Sequence, residues 1–178
     1  MDFRDIKEFF RDACVYIVII AVVLLVNIYI VSFEQVVGPS MQNTLENGNV
    51  MVLNKILYKI SSVIRCDVIS FEYKSNNLIK RVIGLPGEHI EYKDNYLYIN
   101  GVKYEEPYIT NKETKTNDFK LEDLIGNYSV IPDNMYLVLG DNRENSMDSR
   151  EIGLISKSTI RGKISIRIWP ISGIKLVK

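Results

Sequence analysis

The chain has 178 residues, 47% of them apolar, and carries 22 basic and 22 acidic side chains. That length holds one domain and a small appendage. The charge balance argues against a nucleic-acid partner.

The first twelve residues place Phe3, Ile6, Phe9 and Phe10 on one helical face, which predicts a short helix lying at a membrane surface. Residues 14–33 then run without a charge, and only Asn27 and Ser32 are clearly polar. As a helix this run reaches roughly 30 Å, the thickness of a bilayer's hydrocarbon core. A cleaved signal peptide has a shorter apolar region and a small-residue cleavage site, whereas this run exits through Val31-Ser32-Phe33-Glu34-Gln35. The division expected is residues 1–12 as a cytoplasmic segment, 13–33 as a transmembrane helix and 34–178 as an extracytoplasmic domain. Orientation follows from Arg4, Lys7 and Arg11 before the span, against no basic residue after it until Lys55. The cell membrane is the expected location and the lipid bilayer an expected partner. Cys14 and Cys66 fall on opposite sides of that boundary and are expected as free thiols.

Beyond residue 34 the texture becomes β-like. Residues 50–53, 67–73, 79–85, 89–92, 96–99, 135–139 and 162–169 are rich in β-branched and aromatic side chains. Asn100-Gly101 between two such runs predicts a tight hairpin. Residues 105–127 are polar and compatible with a loop, a small cap or an irregular hairpin.

Three segments carry polar groups suited to chemistry. Gly38-Pro39-Ser40-Met41 follows the span closely, and Ser40 lies within roughly 25 Å of its predicted end. A serine there is ordinarily a turn residue. Lys80-Arg81 opens an apolar stretch that closes on Pro86-Gly87. A lysine there is ordinarily a solvated strand-end charge; buried, it would lose its proton more readily and become a base. Gly140-Asp141-Asn142-Arg143-Glu144-Asn145-Ser146-Met147-Asp148-Ser149-Arg150 follows an apolar run and suggests a buried polar network. As an EF-hand calcium loop it fails, because Arg143, Ser146 and Ile152 stand where an acid or amide, a glycine and a glutamate are required. No metal or cofactor is expected.

Together these segments resemble the bacterial type I signal peptidases across nearly the whole chain. The matching motifs are Ser-Met with Thr-Leu after it, Lys-Arg-Val-Ile-Gly-Leu-Pro-Gly-Glu, and Gly-Asp-Asn-Arg-x-Asn-Ser-x-Asp-Ser-Arg. The resemblance implies a mainly β fold: a single transmembrane helix followed by an antiparallel, barrel-like catalytic domain shared with self-cleaving repressors. It implies a serine endopeptidase acting on signal peptides of exported preproteins. Ser40 would be the nucleophile, Lys80 the general base and Ser146 the hydroxyl orienting it. Asp141, Arg143, Asp148 and Arg150 would stiffen the site from behind, and Met41 and Arg81 would contact substrate. Where some relatives have a hydroxyl as an oxyanion donor, this chain has Gly38. It has Asn43 where the family usually has Pro, so Asn43→Pro is expected to be tolerated. It also has Cys66 where the family usually has Gly.

Other readings fit less well. Ser40, Asp67 and His89 occur in the α/β-hydrolase order, but the Gly-x-Ser-x-Gly elbow and its βαβ context are missing. A non-enzymatic anchored β module, such as an inactive paralogue acting as an assembly partner, would have no need of Ser40, Lys80 and Ser146 together. A self-cleaving repressor needs an N-terminal DNA-binding domain, for which twelve residues and a span leave no room.

Overall fold

A computed structural model describes residues 3–110 and 114–177. The N-terminal apolar run forms one 27-residue helix, α1 (Phe3–Tyr29). It is unbroken because it holds no Pro or Gly. The segment expected as a separate surface helix is the first part of this same helix. Of its four expected face residues, the side chains of Phe3 and Ile6 lie outside the described ones. Phe9 and Phe10 are exposed and meet edge to face at 5.9 Å. Within Lys7–Tyr29 the mean hydropathy reaches 2.5, and that stretch is not buried by the rest of the protein. Its 23 residues reach roughly 34 Å, long enough to cross a membrane.

The helix stops at Tyr29, four residues before the expected Phe33. Val31, Ser32 and Phe33 instead belong to β1 (Val31–Gln35), which pairs antiparallel with β2 (Val50–Asn54). Val31 and Phe33 alternate with Ser32 and Glu34, a pattern that suits a strand. Lys55 completes the ending. Its ammonium donates to the carbonyls of Asn27 (3.0 Å) and Ile28 (3.2 Å), and its backbone N–H to that of Ile30 (2.9 Å). A cation at the last carbonyls satisfies them and opposes the helix dipole.

After the one-turn helix α2 (Leu57–Ile60) come β3 (Val68–Tyr73), β4 (Asn76–Gly84), β5 (Ile90–Lys93), β6 (Tyr96–Ile99), β7 (Val102–Tyr104) and β8 (Phe119–Lys120). Then follow β9 (Met135–Leu139), a second one-turn helix α3 (Ser149–Ile152), β10 (Ile155–Ser156), β11 (Ile160–Trp169) and β12 (Lys175–Leu176). The larger sheet has the order β1-β2-β11-β3-β4-β9-β10, with β12 beside β11; the smaller is β7-β6-β5-β8. The mainly β, antiparallel class is therefore the one that forms. The predicted hairpin turn is present, with Asn100 at φ 52 and Gly101 at φ 79 between paired Ile99 and Val102. The polar stretch 105–127 contributes β8 and a 3-10 turn at Leu121–Asp123, and its residues 111–113 lie outside the described ones.

β4 and β9 sit between two of the three core clusters. Val82 and Val138 pack with Ile69 and Phe71, whereas Ile83, Leu137 and Leu139 pack towards Ile90, Tyr92 and Leu97 of the smaller sheet. The third cluster seats residues 36–45, with Val36, Met41 and Leu45 resting on Met51, Leu53 and Ile164. Burial of these side chains, each worth about 1.5–3 kcal/mol, fixes the segment that carries Ser40.

Both cysteines are free thiols. Cys66 has φ 68, in the left-handed region where a Cβ costs about 1–2 kcal/mol. Its N–H donates to the Val82 carbonyl and its carbonyl accepts from Arg81 Nη1, both at 2.9 Å, which holds the strained conformation in place. Cys66→Gly is expected to keep both bonds and stabilise the fold by about 1 kcal/mol, read as a rise of roughly 2–4 °C in thermal unfolding.

Candidate active site

β4 pairs with β3 along its length, from Val68↔Arg81 to Tyr73↔Asn76, but with β9 only from Arg81 onward. The β9 ladder ends at Leu139, so Gly140 and Asp141 emerge next to Lys80 and Arg81. Residues 36–45 close in from the other side. This convergence places Lys80 Nζ 2.6 Å from Ser40 Oγ and 3.0 Å from the Ile79 carbonyl oxygen.

Lys80 is only 3% exposed. Burial lowers its amine from 10.5 to about 8, against the opposing pull of the Asp148 and Asp141 charges. At pH 7 roughly a tenth of the molecules therefore hold a neutral amine beside the hydroxyl. The Ser40 N–H has no protein partner among the described residues, and the Ser40 carbonyl accepts from the Asn142 N–H at 3.0 Å.

Two carboxylate–guanidinium pairs stand behind this contact. Arg81 binds Asp141 in a two-pronged pair, Nε to Oδ1 at 2.8 Å and Nη2 to Oδ2 at 2.7 Å, both side chains fully buried. Arg81 was expected to contact substrate; its guanidinium is instead enclosed, stacked 4.1 Å from the Tyr108 ring centre. Thr44 joins the pair, donating its hydroxyl to Asp141 Oδ2 at 2.5 Å. Asp148 likewise takes two bonds from the Arg150 guanidinium, each 2.8 Å, one from the Arg150 backbone N–H at 3.2 Å and one from the Gly140 N–H at 3.0 Å. Burial pushes the Asp148 carboxyl up, but the Arg150 guanidinium and the Gly140 N–H outweigh it and hold the group below its usual range. The Ser146 hydroxyl adds to this from outside hydrogen-bonding geometry, and its Oγ is buried with no partner among the described residues. Arg143 points away from Lys80. It donates to the Gly140 carbonyl, to Tyr92 Oη and Thr116 Oγ1, and to Glu106 at 2.6 Å, tying the loop to the smaller sheet.

Asn142 is a residue that sequence reasoning quoted without assigning. Its side-chain amide donates to the Pro39 carbonyl and to Gln42 Oε1, both at 3.2 Å, clamping the residues on either side of Ser40. Its position beside Asp141 in the same motif was the available signal.

A cleft of about 540 Å³ opens over the Ser40–Lys80 contact, bounded by residues 32–41 on one side and 77–80 on the other. β1 is the last strand of its sheet, and residues 76–80 of β4 face β3 alone, so each wall presents an unpaired strand edge. Met41, 1% exposed, lies beneath it.

Comparison with known proteins decides the kinship. The family described as signal peptidase, peptidase S26, matches residues 7–169. The chain belongs to this family. A signal peptidase I of Bacillus caldolyticus is 41% identical over 162 residues, 87% of this chain and 88% of that protein. A signal peptidase IB of Staphylococcus aureus strain COL is 40% identical over 182 residues, 97% of this chain and 94% of that one. The crystal structure of a signal peptidase I from Enterococcus faecalis V583 superposes with a TM-score of 0.54 at 40% identity, covering 60% of this chain and 99% of that one.

Within the signal peptidase family the departures of this chain acquire a geometry. Gly38 has φ 88 and its N–H donates to Asn47 Oδ1 at 3.0 Å, so that N–H is already engaged. Asn43 has φ 81. Proline, locked near −65°, cannot adopt that angle, which overturns the expectation that Asn43→Pro would be tolerated. Asn is the non-glycine residue best suited to a positive φ, and it lets the chain turn sharply behind Ser40. Asn43→Pro is expected to cost more than about 1 kcal/mol and at least tenfold in activity, while Asn43→Gly keeps both, as measured by thermal melts and peptide cleavage. At Gly140 an added Cβ would fall onto Ser146 Oγ and within 2.5 Å of the Ser40 carbonyl oxygen. Gly140→Ala is expected to displace Ser40 and lower kcat by about 100-fold with a smaller change in melting temperature.

Proposed function

We propose that this chain is a membrane-anchored serine endopeptidase that removes signal peptides from exported preproteins, with Ser40 as nucleophile and Lys80 as general base. The observation that carries the reading is the 2.6 Å contact between a buried amine and the Ser40 hydroxyl, on the floor of a cleft flanked by two open strand edges. Membership of the signal peptidase family supports it, and the inactive-paralogue reading is not favoured.

α1 spans the bilayer, with Arg4, Lys7 and Arg11 holding the N-terminus in the cytoplasm and the β domain on the far side. A preprotein segment enters the cleft extended and adds its backbone between β1 and residues 76–80 of β4. Met41 closes the apolar floor and leaves room for small side chains near the scissile bond.

The neutral Lys80 amine accepts the Ser40 hydroxyl proton as Oγ bonds to the scissile carbonyl carbon. The unpartnered Ser40 N–H stabilises the resulting oxyanion, a contribution of about 3–4 kcal/mol where such donors have been removed. The Lys80 ammonium then passes its proton to the leaving nitrogen as the C–N bond breaks. The amine next deprotonates a water as it attacks the ester carbon, and the ammonium returns that proton to Ser40 Oγ as the C–Oγ bond breaks. Ser146 orients Lys80 in this cycle: a buried hydroxyl without a partner costs about 1–3 kcal/mol, and the Lys80 amine is the group it would serve.

Ser40→Ala and Lys80→Ala are each expected to lower cleavage of a purified preprotein by about 10⁴-fold or more. Full activity of Lys80→Ala would exclude the dyad. The neutral amine is the active form, so kcat/KM rises with pH through about 8 and then levels. A rise that continues to pH 10 would show a solvated lysine instead.

A further inference from the structure

A second cleft, of about 680 Å³, opens where α1 meets the β domain. Its wall includes Ile28 and Tyr29 of the last helical turn, and four cations face it: Lys55, Lys59, Lys157 and Arg161. Asn134, Ser156 and Ser158 add neutral donors, and among the described residues no carboxylate lines it. Lys55 is committed to the helix carbonyls and Arg161 to Glu34 at 2.6 Å. Lys59 and Lys157, by contrast, make no ion pair among the described residues.

Both free lysines are positioned by their backbones. Lys59 lies in α2, whose start is held by Asn54 Oδ1 accepting from the Ile56 and Leu57 N–H groups. Lys157 begins a 3-10 turn and donates its own N–H to the Asn134 carbonyl at 2.7 Å. The cluster is thus built into the fold, and among the described residues only Arg161 of the four has an acid partner, Glu34.

We propose that this cleft binds the phosphate of an anionic phospholipid. The inference rests on the reading of α1 as a membrane span. The last turn of such a helix leaves the hydrocarbon at headgroup level, which puts the cations beside phosphodiesters. The exposed side chains of Leu24, Leu25 and Ile28 offer the acyl chains a surface immediately below. A zwitterionic headgroup brings an ammonium that would find no acid here, so a lipid of net negative charge is selected. Arg161 lines both clefts, so the bound headgroup lies beside the wall of the Ser40 cleft and would fix the β domain against the membrane.

The test uses the full chain in nanodiscs of phosphatidylcholine alone or mixed equally with phosphatidylglycerol, with retained lipid counted by native mass spectrometry and preprotein cleavage measured in parallel. The wild type is expected to retain phosphatidylglycerol and not phosphatidylcholine. The Lys59→Gln, Lys157→Gln double variant is expected to bind it about 30-fold more weakly, from ~1 kcal/mol per basic residue and ~1.4 kcal/mol per tenfold. The Lys59→Arg, Lys157→Arg variant, which keeps the charge, is expected to restore binding. Equal retention by the Gln variant and the wild type would overturn the site. Displacement of the lipid by millimolar inorganic phosphate would make it a free-anion site and overturn the lipid assignment. Absence of cleavage in every disc would overturn the peptidase reading and leave the lipid measurement standing.

Discussion

The ion pair between Arg81 and Asp141 has lost all contact with water, and three separate parts of the chain are fastened to it. Arg81 belongs to β4, next to Lys80, Asp141 to the turn after β9, and Thr44 to the segment carrying Ser40. A fourth attachment runs from Arg81 to the Cys66 carbonyl. Removing one partner of such a pair leaves a bare buried charge and costs about 3–5 kcal/mol, well above an exposed pair's ~1 kcal/mol or less. The contact between Ser40 and Lys80 is the geometric result of this tie, since neither side chain is long enough to find the other unaided.

The same pair settles the electrostatics of the amine. Asp141 and Asp148 both pull the Lys80 pKa upward, towards a permanent cation. Each carboxylate, however, is matched by its own guanidinium, Arg81 for one and Arg150 for the other. With the acids spoken for, burial dominates and the amine is lowered to about 8. The arginines thus act on the Lys80 amine without touching it, by occupying the charges that would otherwise hold its proton.

Ser40, Lys80 and the loop 140–150 could be read in the sequence because each lies in a long motif whose order and residue types are unusual. The strands were legible where β-branched and aromatic runs were bounded by turn residues, as at Tyr96–Ile99 and its Asn-Gly turn. The inward direction of Arg81 was not, because its partner lies sixty residues further on and a charged strand residue ordinarily faces water. Glu106 and Thr116 were hidden for a similar reason, since a polar stretch gives no periodicity to show which members Arg143 will bury. Hydropathy carried the predicted span past Tyr29, because the scale rewards Val31 and Phe33 equally in a helix and in a strand. The φ of Asn43 is a backbone property that the family's proline at that place argued against.

Only Ile30 separates the end of α1 from β1, and Lys55 bonds both to the last helical carbonyls and to the Ile30 carbonyl. The apolar helix and the β domain therefore meet at a stiff joint instead of a slack tether. Eleven residues lead from Tyr29 to Ser40, at most roughly 40 Å if fully extended, and five of them are locked in a sheet. With α1 in a bilayer, the joint works as a ruler: the tilt of the helix sets the height of Ser40 above the lipid. A peptide bond is then selected by how far it stands from the membrane as well as by the side chains around it.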